Sequence, residues 1–188
     1  MTAISTNDIK PGMALDLSDG LFQIVDYQHV KPGKGKAFVR TRLRNLETGA
    51  NLDRTFRADE TVERAIIDRR DYQFLYRDDM GFNFMDGETY AQIALTVDQV
   101  GDAANYLVDG STVIIAMYQG RPVGLDLPAS IELEVTRSEP GVKGDRVSGA
   151  TKPVTVETGL VVQVPLFVEQ GDRIKVDTRS GEYMTRVS

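Results

Sequence analysis

The chain has 188 residues, a formal net charge of −6 at pH 7, one histidine and no cysteine. The absence of thiols excludes disulfides, cysteine nucleophiles and cysteine-ligated zinc, and a single histidine excludes any two-histidine metal site. No apolar run approaches the ~20 residues of a membrane helix, and the N-terminus lacks the basic-then-apolar pattern of a signal peptide. We therefore expect a cytoplasmic protein that does not bind a membrane and carries no metal or other cofactor.

Residues 1–65 contain closely spaced runs of β-branched and aromatic residues, broken by turn-forming Gly, Asp and Asn. Helical periodicity is scarce, so these runs predict short strands. Strands this short and this close together are typical of a small SH3-like barrel of the KOW type. The predicted strands cover residues 13–17, 21–30, 37–46, 51–56 and 61–66.

Residues 66–128 combine strands with one short helix, predicted at 102–108 with Asp102 as its cap. Strands plus one helix in about sixty residues are typical of an OB-fold barrel. Residues 129–188 alternate apolar and polar positions and predict a second, C-terminal OB barrel. The predicted strands cover residues 72–76, 82–86, 112–118, 123–127, 131–135, 154–157, 160–167 and 173–177.

The loop between the second and third strands carries unusual charge. Its sequence is Lys31-Pro32-Gly33-Lys34-Gly35-Lys36. Proline pre-sets φ for the second position of a turn, and a glycine after it accepts the positive φ of a type II turn. We therefore expect the chain to reverse at Pro32-Gly33 and to present the ammonium group of Lys34 to solvent at the apex.

The strand after this loop carries Arg40, Arg42 and Arg44, which alternate with apolar or small residues. With period 2, the three arginines share one face. Residues 31–57 contain eight basic and two acidic side chains, although the whole chain is acidic. Two interpretations stay open at this point: a solvated loop tip that discourages edge pairing, or a cationic probe for phosphate-rich RNA.

Other candidate chemistry is weak. His29 is expected to pack or to support the loop, and the carboxylate pairs Asp78-Asp79 and Glu132/Glu134 are expected to be solvated. Residues 144–149 have the glycine spacing of a P-loop, but Ala150 stands where lysine is needed and a strand follows in place of a helix. We therefore expect no enzymatic activity.

The residues of the hairpin resemble bacterial elongation factor P. The similarity rests on residues 27–35 and continues through the middle and the C-terminal part of the chain. The matching segments are Tyr27-Gln28-His29-Val30-Lys31-Pro32-Gly33-Lys34-Gly35, Ala37-Phe38-Val39-Arg40, Asn45-Leu46-Glu47-Thr48-Gly49, Gly101-Asp102-Ala103-Ala104, Gly141-Val142-Lys143-Gly144-Asp145-Arg146, Thr151-Lys152-Pro153, Glu157-Thr158-Gly159, Val164-Pro165-Leu166-Phe167-Val168, Gly171-Asp172 and residues 175–183.

The resemblance implies three β-barrels in an L shape and binding to both ribosomal subunits, as a monomer, between the peptidyl and exit sites. It places Lys34 beside the acceptor end of peptidyl-tRNA, where the factor relieves stalling at consecutive prolines. It also makes Lys34 a candidate for post-translational extension by a lysine-modifying enzyme. By the same resemblance, Gly144-Asp145-Arg146 lie near the exit-site codon, and Tyr183 and Arg186 meet the small-subunit side.

The sequence departs from the usual residues of the family at Lys36, Arg146 and Val154. The competing interpretation is a generic OB-fold RNA-binding module without ribosomal specificity. Such a module needs exposed aromatic side chains along a basic groove. Here the candidate aromatics fall in the most acidic segment, residues 66–128, which has four basic and ten acidic side chains. These aromatics are Tyr72, Phe82, Phe84 and Tyr76.

Overall fold

The computed structural model describes residues 2–140 and 149–187 of the chain. Within those ranges the chain is mostly strand, which confirms the predicted all-β class with a single short α-helix. The strands are β1 (Thr2–Ser5), β2 (Ala14–Leu17), β3 (Gly20–Val30), β4 (Phe38–Asn45), β5 (Asn51–Arg57), β6 (Thr61–Ala65), β7 (Asp68–Asp78), β8 (Gly81–Asp86), β9 (Gln92–Leu95), β10 (Thr112–Tyr118), β11 (Arg121–Asp126), β12 (Ser130–Ser138), β13 (Thr151–Val156), β14 (Val161–Pro165), β15 (Arg173–Asp177) and β16 (Tyr183–Val187).

These strands form three sheets of the size found in small barrels. The first is six-stranded in the order β1-β6-β2-β3-β4-β5, and the other two are five-stranded in the orders β11-β10-β7-β8-β9 and β14-β13-β12-β15-β16. By density of contacts the chain divides into two compact units, Met1–Arg69 with Ala116–Gly124 and Arg70–Ile115 with Leu125–Ser188. The predicted division into three domains, at 65/66 and 128/129, stays a prediction.

The first sheet curls around an apolar core to which β2, β3, β4, β5 and β6 contribute. Phe22, Val39 and Leu43 are at most 2% exposed there, and Phe56 and Val62 pack with them. Each fully buried side chain of this kind contributes about 1.5–3 kcal/mol relative to an exposed one. This core fixes the position of β3 and β4, the two strands that carry the lysine loop.

The C-terminal sheet follows the predicted alternation. Leu133 and Val135 on β12 are completely buried, whereas the alternating Glu132 and Glu134 are exposed. The buried residues pack against β13, β14 and β15 in one cluster. The two carboxylates are therefore surface groups, as expected.

The helical segment lies earlier in the chain than predicted. The α-helix α1 is Val97–Val100, and it continues into a 3-10 helix over Gly101–Tyr106. Its N-cap is Thr96, whose hydroxyl accepts the N–H of Gln99 at 3.2 Å while the Gln99 side chain accepts the N–H of Thr96 at 2.9 Å. This reciprocal capping box satisfies two free N–H groups, so the helix starts there and Asp102 is not the cap.

One turn geometry occurs three times. In each copy an Asn or Asp side chain caps a six-residue loop between two strands, and we call these loops the capped turns. They join β4 to β5, β8 to β9 and β15 to β16, and they comprise residues 45–50, 86–91 and 177–182.

The middle capped turn shows the shared hydrogen bonds. The Asp86 carboxylate accepts the N–H groups of Glu88 at 2.8 Å and Thr89 at 3.1 Å. The Asp86 carbonyl accepts the N–H of Tyr90 at 3.0 Å, and the Asp86 N–H donates to the Ala91 carbonyl at 2.9 Å. The Asn45 and Asp177 turns repeat all of these bonds. The capped turns therefore close their loops with the same geometry.

The capping carboxylates make the fold sensitive to acid. The backbone N–H of Thr89, then that of Glu88, holds the pKa of Asp86 below its usual 3.8, and Ser180 and Arg179 do the same for the pKa of Asp177. Since the folded state then binds fewer protons than the unfolded state, its stabilisation is complete above pH 3.8 and is lost as the pH falls below it. We expect urea unfolding to show a steady free energy from pH 7 to about 5 and a decline toward pH 3.

The Asp86→Asn variant provides the control for this pH dependence. Its amide oxygen still accepts the turn N–H groups, but it cannot titrate and it no longer attracts Arg70, whose Nη1 lies 3.5 Å from the carboxylate. We expect the variant to lose less stability between pH 5 and 3 than the unaltered chain does. An equal or steeper loss in the variant would show that Asp86 is not one of the responsible groups.

Candidate nucleic-acid interface

The loop between β3 and β4 projects its charges into solvent. The last strand pair is Val30↔Phe38, and all six residues from Lys31 to Lys36 are exposed. Within the described ranges, no hydrogen bond or ion pair joins Lys34 to another residue. The Lys34 ammonium is therefore available to an external partner, and no contact inside the fold depends on it.

The bend of this loop differs from the predicted type II turn. Gly35 has a left-handed φ of +107°, whereas Gly33 is absent from the residues with positive φ. The positive φ thus follows Lys34 and does not precede it. A β-carbon on Gly35 would lie 3.9 Å from Cγ of Pro32, which is ordinary van der Waals contact, so the backbone φ and not lack of space favours glycine there. Lys34 still lies between two glycines at the exposed end of the hairpin.

The base of the hairpin is stiffened on the side of β3. The rings of Tyr27 and His29 meet edge to face, with centroids 5.4 Å apart. Both residues lie on β3 opposite buried or small positions of β4, namely Thr41 and Val39. His29 is exposed and touches the Tyr27 ring, and its role in loop support stays a prediction.

The arginine face has the predicted alternation. Arg40, Arg42 and Arg44 are exposed on β4, whereas the alternating residues Val39, Thr41 and Leu43 are buried. The strand register continues this face onto β3 and β5. The positive charges of β4 therefore lie on the outer surface of the sheet that carries the lysine loop.

The neighbours of these arginines differ in charge. Arg42 pairs across the strands with Asp26 and Asp53, and its Nε lies 3.4 Å from the Asp53 carboxylate. Arg40 pairs with Gln28 and Thr55, which carry no charge. Arg44 likewise pairs with the uncharged Gln23 and Asn51, so Arg42 is the one arginine of the three with acidic cross-strand neighbours, and Arg40 is the uncompensated arginine nearest the loop.

Two further arginines of the basic segment have different surroundings. Arg57 is exposed and lies opposite Phe38, directly below the loop, so it joins the basic face. Arg57 is one of the eight basic residues of segment 31–57, and the strand register is what places it beside the loop. Arg54 instead lies over the Phe22 ring at 5.5 Å and donates from Nη1 to Asp19 at 3.1 Å. Its hydrogen bond lowers the pKa of Asp19, so Arg54 supports the fold.

The predicted C-terminal contact residues lie in the second unit. Tyr183 is half-buried against the C-terminal core, and Arg186 is exposed on the same strand, β16. The Arg186 guanidinium stacks over the Phe167 ring at 5.3 Å and lies 3.7 Å from the Asp172 carboxylate. The remaining predicted contacts, Gly144, Asp145 and Arg146, lie outside the described residues.

Among the residues that the structure describes, no group of three or more His, Asp or Glu side chains could hold a metal ion. A search of the same residues finds no helix with the length and apolar content needed to cross a membrane.

Three family models match successive parts of the chain. The model of the Elongation factor P (EF-P) KOW-like domain matches residues 5–62, and that of the Elongation factor P (EF-P) OB domain matches residues 67–125. The model described as Elongation factor P, C-terminal, matches residues 131–186. These matches confirm the predicted KOW-type barrel followed by OB-type folds.

Curated relatives match over nearly their full length. The protein named Elongation factor P from Symbiobacterium thermophilum is 54% identical over 183 residues, which cover 97% of this chain and 99% of that protein. The protein of the same name from Paenarthrobacter aurescens is 53% identical over 184 residues, or 98% of each chain. That from Pelotomaculum thermopropionicum is 50% identical over 184 residues, covering 98% of this chain and 100% of its own.

Solved structures of lower identity share the fold. Eukaryotic translation initiation factor 5A from Methanococcus jannaschii superposes with a TM-score of 0.54 at 24% identity, covering 66% of this chain and 93% of its own. A translation initiation factor eif-5a family protein from Naegleria fowleri superposes with a TM-score of 0.54 at 17% identity, covering 67% of this chain and 98% of its own. The family models and the curated relatives show that the chain belongs to the elongation factor P family of translation factors.

Proposed function

We propose that this chain binds the ribosome between the peptidyl and exit sites and promotes peptide-bond formation at consecutive prolines. In this proposal the loop from Lys31 to Lys36 contacts the acceptor end of peptidyl-tRNA. The observation that carries the proposal is the exposed, unpaired ammonium of Lys34 on the β3–β4 hairpin. Membership in the elongation factor P family supports it.

The proposed mechanism is positioning. Proline is a poor nucleophile in a constrained geometry, so its reaction gains from a peptidyl-tRNA that is held in the productive orientation. A cation against the acceptor phosphates can hold that orientation without forming a covalent bond. The factor would therefore act without being an enzyme, and its binding energy would come mainly from phosphate contacts.

The exposure of Lys34 also suits modification. Its side chain is accessible between two glycines, so a lysine-modifying enzyme could reach it without unfolding the barrel. An added group would extend the reach of the cation toward the reaction centre. We propose Lys34 as the modification site, Gly144-Asp145-Arg146 as the contact to the exit-site codon, and Tyr183 with Arg186 as the contact to the small subunit.

The buried aromatic side chains argue against a generic single-strand RNA-binding module. Stacking of bases needs exposed rings along a basic groove. Tyr72, Phe82 and Phe84 are all at most 5% exposed, and they lie in the acidic part of the chain. Tyr76 and Tyr90 are 49% and 71% exposed, but both lie in the same acidic part of the chain and not along a basic groove. The basic face on β4 is therefore the better candidate for RNA contact.

The charges around Arg40 and Arg42 lead to a graded prediction for ribosome binding. We expect the Kd to rise with salt, because phosphate contacts release counterions. Arg40→Gln should weaken binding and reduce the slope of log K against log salt by about 1, since Arg40 has no acidic neighbour across the strands. Arg42→Gln should have a smaller effect because Asp26 and Asp53 already neutralise Arg42.

Filter binding to ribosomes that carry peptidyl-site tRNA, at four salt concentrations, measures this difference. If the Kd of the unaltered chain did not change with salt concentration, phosphate contacts would be contradicted. Equal effects of the two substitutions would contradict the neutralising role of the acidic neighbours.

A further inference from the structure

Tyr90 occupies a backbone conformation that favours glycine. In the three capped turns the fifth residue has a left-handed φ: +74° at Gly49, +61° at Tyr90 and +75° at Gly181. An L-residue with a side chain is disfavoured there because its β-carbon crowds the backbone. Two of the three turns therefore use glycine, and the middle turn keeps a tyrosine at a cost in stability.

Packing within the fold does not explain this tyrosine. Tyr90 is 71% exposed, and among the described residues none bonds its hydroxyl group or stacks on its ring. A glycine at this position would relieve the backbone strain and would leave no cavity. The ring therefore contributes little to the stability of the free protein.

The turn holds the ring in a defined place. The Tyr90 N–H donates to the Asp86 carbonyl at 3.0 Å, and the Asp86 carboxylate fixes the two preceding N–H groups of the turn. Asp86 itself is 2% exposed and faces Arg70 at 3.5 Å. An aromatic side chain on such a rigid support loses little conformational entropy when a partner binds.

The charges around Tyr90 indicate the chemistry of that partner. Glu88 in the same turn is exposed, and so is Asp71, whose carbonyl accepts the N–H of Gly87 at 3.0 Å. The nearby Arg70 is engaged by Asp86. These carboxylates repel phosphate, whereas a guanidinium or ammonium gains from both the ring face and the negative charge.

We propose that Tyr90, together with Glu88, is a contact point for an arginine- or lysine-rich segment of a ribosomal protein. The inference rests on the proposed ribosome binding, and it adds a protein contact on the acidic part of the chain to the RNA contacts of the basic face. The left-handed tyrosine persists because its ring binds this partner, although glycine would fold better.

Substitutions at position 90 separate binding from stability. Tyr90→Gly should raise the Tm by about 2–4 °C, because the strain is relieved, while it weakens ribosome binding about five- to tenfold. Tyr90→Ala should weaken binding equally, and Tyr90→Phe should keep most of it. Tyr76→Ala removes another exposed ring and should leave the Kd unchanged. Unchanged binding by Tyr90→Gly and Tyr90→Ala would overturn the proposal.

A photo-crosslinking side chain identifies the class of partner. With p-benzoylphenylalanine in place of Tyr90, irradiation of the ribosome complex should link the chain to a ribosomal protein. Linkage to RNA alone, or no linkage, would overturn the proposal. If the unaltered chain failed to bind ribosomes, the proposed function would fail with it; if the chain bound but position 90 made no contact, only this inference would fail.

Discussion

Replacing Lys34 by alanine is expected to abolish the rescue of a polyproline reporter while the protein stays folded. The side chain is exposed and makes no hydrogen bond or ion pair with the residues that the structure describes, so its loss should change the free energy of unfolding by no more than about 0.5 kcal/mol. If the Lys34 ammonium orients peptidyl-tRNA, the alanine variant lacks the group that does so and cannot promote the reaction. The readout is the yield of a reporter with consecutive prolines in a translation system that lacks the unaltered factor.

A second lysine variant controls for the general effect of losing one positive charge. Lys10 is also exposed and belongs to the same unit, but it lies outside the loop. Lys10→Ala should rescue the reporter as the unaltered chain does. Equal rescue by Lys34→Ala and the unaltered chain would contradict the assigned role, and loss of rescue in both variants would indicate a nonspecific effect of charge.

Gly81→Ala should cause a large loss of stability although it adds only one methyl group. Gly81 is buried at the start of β8 with φ of +141°, and a β-carbon there would lie 2.1 Å from the Leu95 carbonyl oxygen. Since that oxygen belongs to the backbone of the neighbouring strand β9, it cannot rotate away. Strain and overpacking together should cost about 3–5 kcal/mol, measurable by urea unfolding.

Gly120→Ala is the control for this substitution. Gly120 also has a positive φ, +79°, but no atom lies within 4 Å of its added β-carbon. Only the conformational cost of about 1–2 kcal/mol should remain. Comparable losses in the two variants would show that the contact with Leu95 is not what restricts position 81.

The sequence predicted the parts of the fold in which a side-chain pattern is repeated along a strand. The alternation of Arg40, Arg42 and Arg44 with buried residues predicted both the strand and its exposed face, because burial on one side leaves a period of 2. The glycine and lysine content of the loop likewise predicted its exposure. Whether these residues contact RNA is a proposal that neither the pattern nor the fold tests.

Some short strands were not predicted, because four or five residues show too little alternation of apolar and polar side chains. Strands β1 and β9 have four residues each and β16 has five, and β1 pairs with β6, a strand far along the chain. The bend at the lysine loop was placed one glycine too early, because Gly33 and Gly35 are equally permissive in isolation. Thr96 and Gln99 form a recognisable capping box, which was the missed signal for the true start of α1.

The capped turns also show what a search for residue identity misses. The segments 45–50, 86–91 and 177–182 all have an Asn or Asp at the first position and a Ser or Thr at the fourth, and only the first two also share Glu at the third and Ala at the sixth. Their likeness is in hydrogen bonding and in φ, so only the structure reveals that Tyr90 takes the place of a glycine.

The most direct test of the account is a cryo-EM structure of this factor on a ribosome stalled with a prolyl peptidyl-tRNA. The account predicts that residues 31–36 reach the acceptor end and that the Lys34 side chain lies within ion-pair distance of its phosphates. A bound factor whose β3–β4 loop faces solvent, or contacts ribosomal protein with no tRNA nearby, would contradict it.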